Sequence, residues 1–483
     1  MSNCFHHSRK VSPPWGRCCF ARPRFVKGIA LLLCAQLLAG CGHLASSEIQ
    51  PAVTVPAAFS RARQNTAPER DWWQSFQDPA LNGLLERAFG SSFTLKQGYA
   101  RIRQAKISSG QAGSELYPAL ASDISLGSSW LKDGVQEKRY RADVNFSWEL
   151  DLWQRLSAAE KALSYETDSA TADLQAAAFL LSARIAENYL HLIEQNLQLD
   201  LLQQQQAASS IFLELIELRF ANGEASVVDI YQQRQHLASL RTQVPIVKNQ
   251  ALLLKNRLAV LIGAVPGTGG LPVADRLPEL PPGPDIGIPG DLLLNRPDLR
   301  SIHAQLLAAD QKIGEAIADR LPRLNLTGST GYSGASFSAD NFFMSIMGDI
   351  FMPLIDWGKR KSEVAKRKYF LEELLATYTQ TFLTAIEETE NGIWQEKYQT
   401  ELLDSLTDHL QIAKANLTET RNRYMQGLTD YLPVLTALQS LQQLEREVLT
   451  QNRQLLLTRV HLYRALGGAH FLAMPGKEPG KEL

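Results

Sequence analysis

The chain has 483 residues, room for two or three average domains, and all five of its cysteines lie within the first 41 residues. The other 442 residues therefore exclude a disulfide scaffold, a cysteine-ligated metal site and a cysteine nucleophile. Residues 1–40 hold six bases and no acid, so of the 49 bases only 43 remain to face 50 acids, and this acidic balance argues against nucleic acid as a partner.

The first forty residues resemble a bacterial export signal. A basic segment, Arg22 to Lys27, precedes an apolar stretch, Gly28 to Ala39, that is too short to span a bilayer of about 30 Å as a helix. The stretch ends in Leu-Ala-Gly-Cys41, which looks like a lipoprotein box, although an ordinary secretion signal with an incidental cysteine is the alternative. We expect Cys41 to become the acylated first residue. By resemblance to enterobacterial lipoproteins, Gly42 in place of an aspartate favours transport to the outer membrane.

Long helices are predicted in two halves of the chain. Proline is absent from residues 119–244 and 354–432, whereas eight of the 22 prolines lie in Pro266 to Pro297. Apolar residues at steps of three and four from Leu174 to Leu192 indicate a helix. If residues 155–218 are helical throughout, at 1.5 Å per residue that helix is roughly 95 Å long, which suits a coiled-coil-like bundle.

Short strands are predicted before each long helix. From Tyr140 to Leu150, apolar and polar residues alternate strictly, with Val144, Phe146 and Trp148 on the apolar face. Ala121 to Trp130 is a weaker partner. Alternation over about ten residues is typical of a transmembrane barrel strand and equally of a half-buried hairpin in a water-soluble protein.

The sequence repeats itself at an offset of 204 residues. Tyr117-Pro118-Ala119-Leu120 corresponds to Leu321-Pro322-Arg323-Leu324, and the segment from Arg219 to Gly223 corresponds to that from Arg423 to Gly427. Residues 324–332 and 343–354 then occupy the strand positions of the second copy. Each half is predicted to run helix, strand, strand, long helix, helix.

Four strands cannot close a barrel, because about eight or more are needed and unpaired backbone in a membrane costs several kcal/mol per group. The chain must therefore share its barrel with other copies. Two copies give eight strands and an interior filled by side chains, whereas three give twelve strands. A channel that conducts solutes therefore favours three copies over two.

A resemblance to a known family rests on motifs spread over the chain. Asp71-Trp72-Trp73-Gln74-Ser75-Phe76-Gln77-Asp78-Pro79-Ala80-Leu81 resembles the opening of the outer membrane efflux proteins, the TolC-like outer membrane factors, and in particular their NodT-type lipoprotein branch. Further matching segments are Trp148 to Trp153, Asn256 to Gly263, Asn295 to Arg300, and Arg423-Tyr424 followed by Gly427.

The resemblance implies a mainly helical chain with a small β part, assembled as a homotrimer. Its twelve-stranded barrel would lie in the outer membrane, in contact with lipid, and a long α-helical barrel would continue it into the periplasm. The trimer would dock on a periplasmic adaptor protein and an inner-membrane pump, usually of the resistance-nodulation-division type, as a passive exit duct for drugs or other toxic solutes.

The resemblance also implies where the duct closes. In the family the periplasmic tips lie at helix turns that here span Arg219 to Tyr231 and Arg423 to Leu435. Asp229 matches an acidic position of the family in the first half. In the second half, the positions where some members carry their aperture aspartates are Pro433 and Thr436, which leaves Asp430 as the nearby acid. A helix cap or a solvated face is the alternative role for both aspartates. Gly223 and Gly427 are expected to end helices with positive φ, beside Arg219 and Arg423.

The domain prediction follows from these features. Residues 1–40 form a lipoprotein signal peptide, 41–78 a lipid-anchored segment, 79–263 the first repeat, 264–291 an equatorial linker, 292–467 the second repeat and 468–483 a tail.

Other classes of protein have less support. The nine histidines are scattered without an HExxH motif, so neither an enzyme nor a metal site is expected, and the lipid on Cys41 is the one expected attachment. The exit duct of a type I secretion system and a lipid-anchored periplasmic coiled-coil scaffold without a pore remain the alternatives.

Overall fold

The structure is a computed structural model that describes residues 50–60, 71–130, 132–133, 136–268, 270–284, 286–336 and 338–467. These residues belong to one unit, residues 46–483. The predicted lipidation site Cys41, the signal peptide and the tail 468–483 lie outside the described residues.

Helices dominate the described residues of this unit, and a four-stranded sheet interrupts them. The helices are α1 (Pro79–Ser91), α2 (Phe93–Ser114), α3 (Arg155–Ala221), α4 (Val227–Leu261), α5 (Leu292–Asn295), α6 (Pro297–Ala318), α7 (Lys359–Met425) and α8 (Tyr431–Leu466). The strands are β1 (Ala119–Trp130), β2 (Gln136–Leu150), β3 (Arg323–Gly334) and β4 (Phe342–Phe351). Within the described residues, no helix is both long and apolar enough to cross a membrane.

The element order is the predicted one, with changed ends. Helix α3 runs three residues beyond the predicted Leu218, and its 67 residues extend about 100 Å at 1.5 Å per residue. Strand β4 ends at Phe351 rather than at the predicted Leu354, because Pro353 has no amide hydrogen for a strand ladder. Strand β2 begins at Gln136 rather than Tyr140.

The two halves have matching element bounds. Helices α2 and α6, strands β1 and β3, and helices α3 and α7 each begin and end 204 residues apart, and α4 and α8 begin 204 residues apart. One difference is Pro245, which lies inside α4, whereas α8 has Leu449 at the corresponding position. Helices α3 and α8 pack together, with α4 against α3 and α7 against α8.

The sheet is antiparallel in the order β1-β2-β3-β4. Strands β1 and β4 are its outer strands, and each pairs with one neighbour in the part of the chain that the structure describes. The sheet therefore has two open edges, at β1 and at β4.

The segment Asp71 to Leu81 joins the two halves. The Trp72 indole stacks on the Tyr463 ring of α8, with ring centroids 5.5 Å apart. Asp78 caps α1 by accepting the amide hydrogens of Ala80 and Leu81, and it also accepts the hydroxyl of Tyr189 in α3 at 2.7 Å. The family-like motif thus contacts helices of both repeats.

The linker after α4 is held by two buried arginines. Arg459 of α8 forms a bidentate ion pair with Glu396 of α7 and donates hydrogen bonds to the carbonyls of Pro281 and Pro282. Arg296 pairs with Asp298 and Glu388. Burial opposes ionisation of Asp298, but the hydrogen bonds and charge of Arg296 outweigh it, and the pKa of Asp298 is lowered.

Candidate functional site

The sheet has one apolar and one polar face across all four strands. Directly paired residues of antiparallel strands point to the same side, so the register defines each face. The apolar face carries Leu120, Ile124, Leu126, Trp130, Tyr140, Ala142, Val144, Phe146, Trp148, Leu150, Leu324, Leu326, Tyr332, Phe342, Met344, Ile346 and Ile350. The predicted alternation of β2 therefore extends over the whole sheet.

Much of this apolar face is exposed in the single chain. Ile124 and Ile350 are each 74% exposed, and Val144 is 46% exposed. Phe146 and Trp148 are half-buried, and the Trp148 indole donates to the carbonyl of Leu116. Water is a poor environment for such a continuous apolar surface, whereas lipid is a suitable one.

The opposite face is polar, apart from Ala119 and Ala121 on β1 and Phe343, Met347 and Phe351 on β4. On this face Arg141 pairs with Asp143 at 2.6 Å, and the Ser329 and Ser345 hydroxyls lie 2.8 Å apart. A sheet with these two faces can separate lipid from water.

The turns α3–α4 and α7–α8 lie together at one end of the helices, and we name them the tip. An apolar cluster joins them, formed by Ile216, Ile230, Tyr424, Tyr431, Val434 and Leu435. The predicted glycines have positive φ, 78° at Gly223 and 71° at Gly427. In both turns the amide after the glycine donates to a carbonyl five residues earlier, from Glu224 to Arg219 and from Leu428 to Arg423, so both helices end in the same way.

The two tip arginines differ in their surroundings. The Arg219 guanidinium lies 4.7 Å from the ring centroid of Tyr424, contacts the Met425 carbonyl at 3.5 Å and faces Glu224 at 3.6 Å. Arg423, its counterpart in the second repeat, is exposed. Burial raises the pKa of Tyr424, so this hydroxyl stays neutral at physiological pH.

The two tip aspartates have different roles at their helices. Asp229 closes a capping box, because its carboxylate accepts the amide hydrogen of Ser226 at 3.0 Å while the Ser226 hydroxyl accepts that of Val228. Asp430 is the N-cap residue of α8, is exposed and makes no side-chain cap bond. Of the two, Asp430 presents its carboxylate more fully to solvent.

A largely buried polar seam connects α3, α4 and α8 behind the tip. Its residues are Glu194, Gln198, Gln205, Ser209, Gln233, His236, Gln442, Arg446, Thr450 and Arg453. At the tip end, the Tyr431 hydroxyl donates to Gln233, whose amide donates to the Ser209 carbonyl.

His236 lies within this seam as a neutral ring. Its Nε2 lies 2.9 Å from Oε1 of Gln442, and its Nδ1 lies 3.4 Å from the amide nitrogen of Gln439, so Nε2 donates and Nδ1 accepts. Burial lowers the pKa of His236, opposed by the Gln442 hydrogen bond and assisted by the charge of Arg446.

Sequence reasoning missed the seam and the Arg219–Tyr424 contact. One signal was available, since Gln198 and Gln205 are seven residues apart on α3 and thus lie on the same side of the helix. The Ser226–Asp229 spacing likewise indicates a capping box.

Comparisons with known proteins agree with this architecture. A family model described as "Outer membrane efflux protein" matches residues 84–264 and 288–468. The pyoverdine export outer membrane protein OpmQ of Pseudomonas aeruginosa is 29% identical over 468 residues, which cover 92% of this chain and 97% of OpmQ. The probable outer membrane lipoprotein SilC of Salmonella typhimurium is 24% identical, covering 89% of this chain and 96% of SilC.

Among solved structures, the outer-membrane channel OprN is similar with a TM-score of 0.82 and 26% sequence identity. The match covers 88% of this chain and 98% of OprN. The combination of long helices with one four-stranded sheet is therefore that of TolC-like outer membrane factors.

Proposed function

Because the chain belongs to the outer membrane efflux protein family, we propose that it is the outer membrane exit channel of a tripartite efflux system. Three copies form the channel, and their strands make a twelve-stranded barrel in the outer membrane. The helices continue the duct into the periplasm, where an adaptor and an inner-membrane pump of the resistance-nodulation-division type engage it.

The two-faced sheet with open edges carries this proposal. Each chain supplies four strands, too few for a closed barrel, and an open edge in lipid leaves backbone groups unpaired. Head-to-tail joining of β4 to β1 of another copy removes every edge and turns all apolar faces toward lipid. Three copies make twelve strands and a passage lined by the polar face.

The transported solutes are small and toxic or secreted molecules, and the channel passes them without chemistry of its own. The printed names of relatives support this range, because OpmQ exports pyoverdine and other relatives belong to toluene and cation efflux systems. The energy comes from the pump.

The periplasmic tip is the gate. Rings of carboxylates at a pore mouth favour cations, and Asp430, exposed at the start of α8, is the leading candidate for such a ring. Asp229 contributes from the other turn of the tip, at the start of α4, but also holds its capping box. The contact of Arg219 with Tyr424 links the two hairpins and keeps them together in the closed channel.

A lipid on Cys41 anchors the chain to the outer membrane. The lipobox-like sequence supports this, as does the relative SilC, which is named an outer membrane lipoprotein. The proposed linker is residues 264–291, the second repeat is residues 292–467 and the tail is residues 468–483.

Conductance measurements test the proposal. Full-length protein purified in mild detergent should have the mass of three chains and pass ions in planar bilayers. We expect Asp430→Asn to reduce cation selectivity more than Asp229→Asn, because Asp430 is the more exposed acid. Monomeric protein that passes no ions would refute the channel, and would favour a scaffold without a pore.

A cell-based assay separates drug efflux from protein secretion. Cells lacking the chain should become more sensitive to small toxic solutes, and the chain should restore resistance. Unchanged sensitivity together with loss of a secreted protein would favour a type I secretion duct.

A further inference from the structure

A cavity of about 620 Å³ lies between α3, α5, α6 and α7. The polar and aromatic side chains that line it include Tyr165, Asp168, Arg300, His303 and Tyr378. None of these five residues belongs to the tip, the sheet or the seam. A cavity of this volume suits a small organic ligand. The cavity is therefore a candidate binding site that the proposed channel function does not explain.

Arg300 supplies the cavity with a positive charge. It ends the matching segment Asn295 to Arg300 of the sequence and is half-buried. Its guanidinium donates to Oε1 of Gln175, a buried side chain of α3, at 2.9 Å, and this hydrogen bond fixes its direction. Among the described residues, no carboxylate lies within ion-pair distance of this guanidinium. A ligand with an anionic group would supply the missing partner.

Tyr378 carries a hydroxyl that packing does not require. The side chain is 3% exposed, and its hydroxyl makes no hydrogen bond within the part of the chain that the structure describes. Burial raises the pKa of Tyr378, so the hydroxyl stays neutral. The corresponding residue of the first repeat, 204 residues earlier, is Leu174, which is also buried. Because a leucine fills that position and an unpaired buried hydroxyl is unfavourable, the hydroxyl of Tyr378 indicates a ligand.

His303 places a second polar group beside Tyr378. The centroids of the two rings are 6.1 Å apart. Burial lowers the pKa of His303, so its ring is neutral and has one N–H donor and one acceptor nitrogen. Neither nitrogen forms a hydrogen bond with another described residue. A peptide group also has one donor and one acceptor, so it can satisfy these two side chains.

The two charges of the cavity lie about 10 Å apart along α3. Asp168 is exposed, and it precedes by seven residues, or about 10 Å, the Gln175 side chain that Arg300 contacts. Asp168 has no ion-pair partner in the described ranges. His303 and Leu307 follow Arg300 on the same face of α6, so His303 lies between the two charges. An extended tripeptide likewise has its ammonium and carboxylate groups about 10 Å apart.

The cavity lies on the side of α3 that contacts the linker. Thr171 lines the cavity, and Tyr189, about five helical turns later, accepts the amide hydrogen of Ala274 in the linker. Residues separated by whole turns lie on the same side of a helix. In the proposed channel the linker lies outside the passage, so the cavity faces the periplasm. This location rests on the proposed function, whereas the chemistry of the cavity does not.

We propose that the cavity binds a short peptide with free ends, about three residues long and with apolar side chains. Arg300 pairs with the peptide carboxylate, and Asp168 pairs with its ammonium group. The Tyr378 hydroxyl and the His303 ring form hydrogen bonds with the peptide groups between them. Leu307 and the leucines of α5 contact the apolar side chains.

Titration calorimetry of the full-length protein in mild detergent tests this site. The probes are trileucine, its N-acetyl derivative and its C-terminal amide, which have the same side chains but differ in their charged ends. We expect trileucine to bind, and each derivative to bind about tenfold more weakly, because each loses one charged contact. Absence of trileucine binding, or equal affinity for all three peptides, would overturn the proposal.

Charge-removing variants assign the two ends of the peptide. Arg300→Gln should weaken trileucine binding about tenfold and leave binding of the amide unchanged, because the amide has no carboxylate. Asp168→Asn should weaken trileucine binding and leave binding of the N-acetyl peptide unchanged. The matched controls are Arg184→Gln and Asp200→Asn, at exposed residues of α3 that do not line the cavity. Unchanged trileucine affinity in both cavity variants would contradict the assignment.

Tyr378→Phe separates a binding role from a structural one. We expect the variant to bind trileucine about two- to tenfold more weakly, since one hydrogen bond is lost. Its unfolding midpoint without peptide should not fall, because the hydroxyl has no partner among the described residues to leave unpaired. A lowered midpoint with unchanged affinity would show that the hydroxyl is structural and exclude it from the site.

The outcomes also separate this inference from the channel proposal. A trimer that conducts ions but does not bind trileucine would overturn the peptide site alone. Monomeric protein that passes no ions but binds trileucine with the expected preferences would overturn the channel and support the site.

Discussion

Asp78 and Tyr189 are bonded across the junction between the opening motif and the first long helix. The Tyr189 hydroxyl donates to Asp78 at 2.7 Å and accepts the amide hydrogen of Ala274 in the linker at 3.2 Å. Tyr189 is fully buried, and Asp78 is 6% exposed. Two side chains therefore join the opening motif, the long helix α3 and the linker.

Tyr189→Phe should destabilise the chain without changing its fold. The variant keeps the ring but leaves Asp78 and the Ala274 amide each without one partner, at a cost of about 1–3 kcal/mol. The apparent unfolding midpoint of the detergent-solubilised protein measures the change. Tyr398→Phe, at a side chain that is 57% exposed, is the control and should leave the midpoint unchanged. Equal midpoints for both variants would contradict the role of this hydroxyl.

A charge on the apolar face of the sheet should prevent insertion. Val144→Arg is expected to cost about 2–4 kcal/mol if the residue meets lipid near the midplane. The control is Asn145→Arg, on the neighbouring residue of the polar face. The measurement is the yield of oligomer in the outer membrane fraction, and equal yields for the two variants would argue against lipid at this face.

Loss of the Arg219 side chain should loosen the closed tip. Arg219→Ala removes a cation–π contact worth about 0.5–2 kcal/mol, together with the contact to the Met425 carbonyl. We expect a higher mean conductance in planar bilayers. Arg423→Ala changes the exposed counterpart and should leave conductance close to that of the unmodified channel. A larger increase in conductance from Arg423→Ala than from Arg219→Ala would contradict the role of Arg219 in holding the tip closed.

Acidification should weaken the seam through His236. Because its pKa is lowered in the folded chain, the unfolded chain binds the extra proton first as pH falls below about 6.5. The free energy of unfolding therefore decreases from that pH down to the folded-state pKa. His236→Gln should show a smaller decrease between pH 7.5 and 5.5 in urea unfolding, whereas His409→Gln, at an exposed histidine, should behave like the unmodified protein. His191 and His303 also have pKa values lowered first by burial and contribute the remaining decrease.

Cys41→Ser should abolish lipid attachment. The prediction follows from the lipobox-like sequence, because a hydroxyl cannot replace the thiol in the acylation step. Metabolic labelling with palmitate, followed by isolation of the protein, measures the attachment. Continued incorporation in the variant would place the anchor elsewhere.

The sequence was most informative where a local pattern determines structure. The absence of proline from residues 119–244 and 354–432 predicted helices α3 and α7, and strict alternation predicted β2. The formation of each of these elements depends on the conformational preferences of residues that are close together in the chain. The ends were less predictable, as Phe351 shows, because a strand ends where its partner and its amide donors end.

Contacts between the repeats could not be predicted from the sequence. Arg219 of α3 contacts Tyr424 of α7, and His236 of α4 contacts Gln442 of α8, each about 200 residues away, because the hairpin of α3 and α4 packs against the hairpin of α7 and α8. A glutamine on a long helix gives no local sign of whether it faces water or a neighbouring helix. Asp229 illustrates the same difficulty, since its spacing from Ser226 fits a cap and its place in the turn fits an aperture.

Pro245 makes the two hairpins mechanically unequal. A proline within a helix removes one amide donor and leaves the carbonyl four residues earlier without its intrahelical partner, which lowers resistance to bending there. Helix α8 has Leu449 at the matching place and keeps that bond. In the proposed ring of three chains, hairpins that bend more easily would alternate with stiffer ones. Widening of that ring would then follow threefold rather than sixfold symmetry.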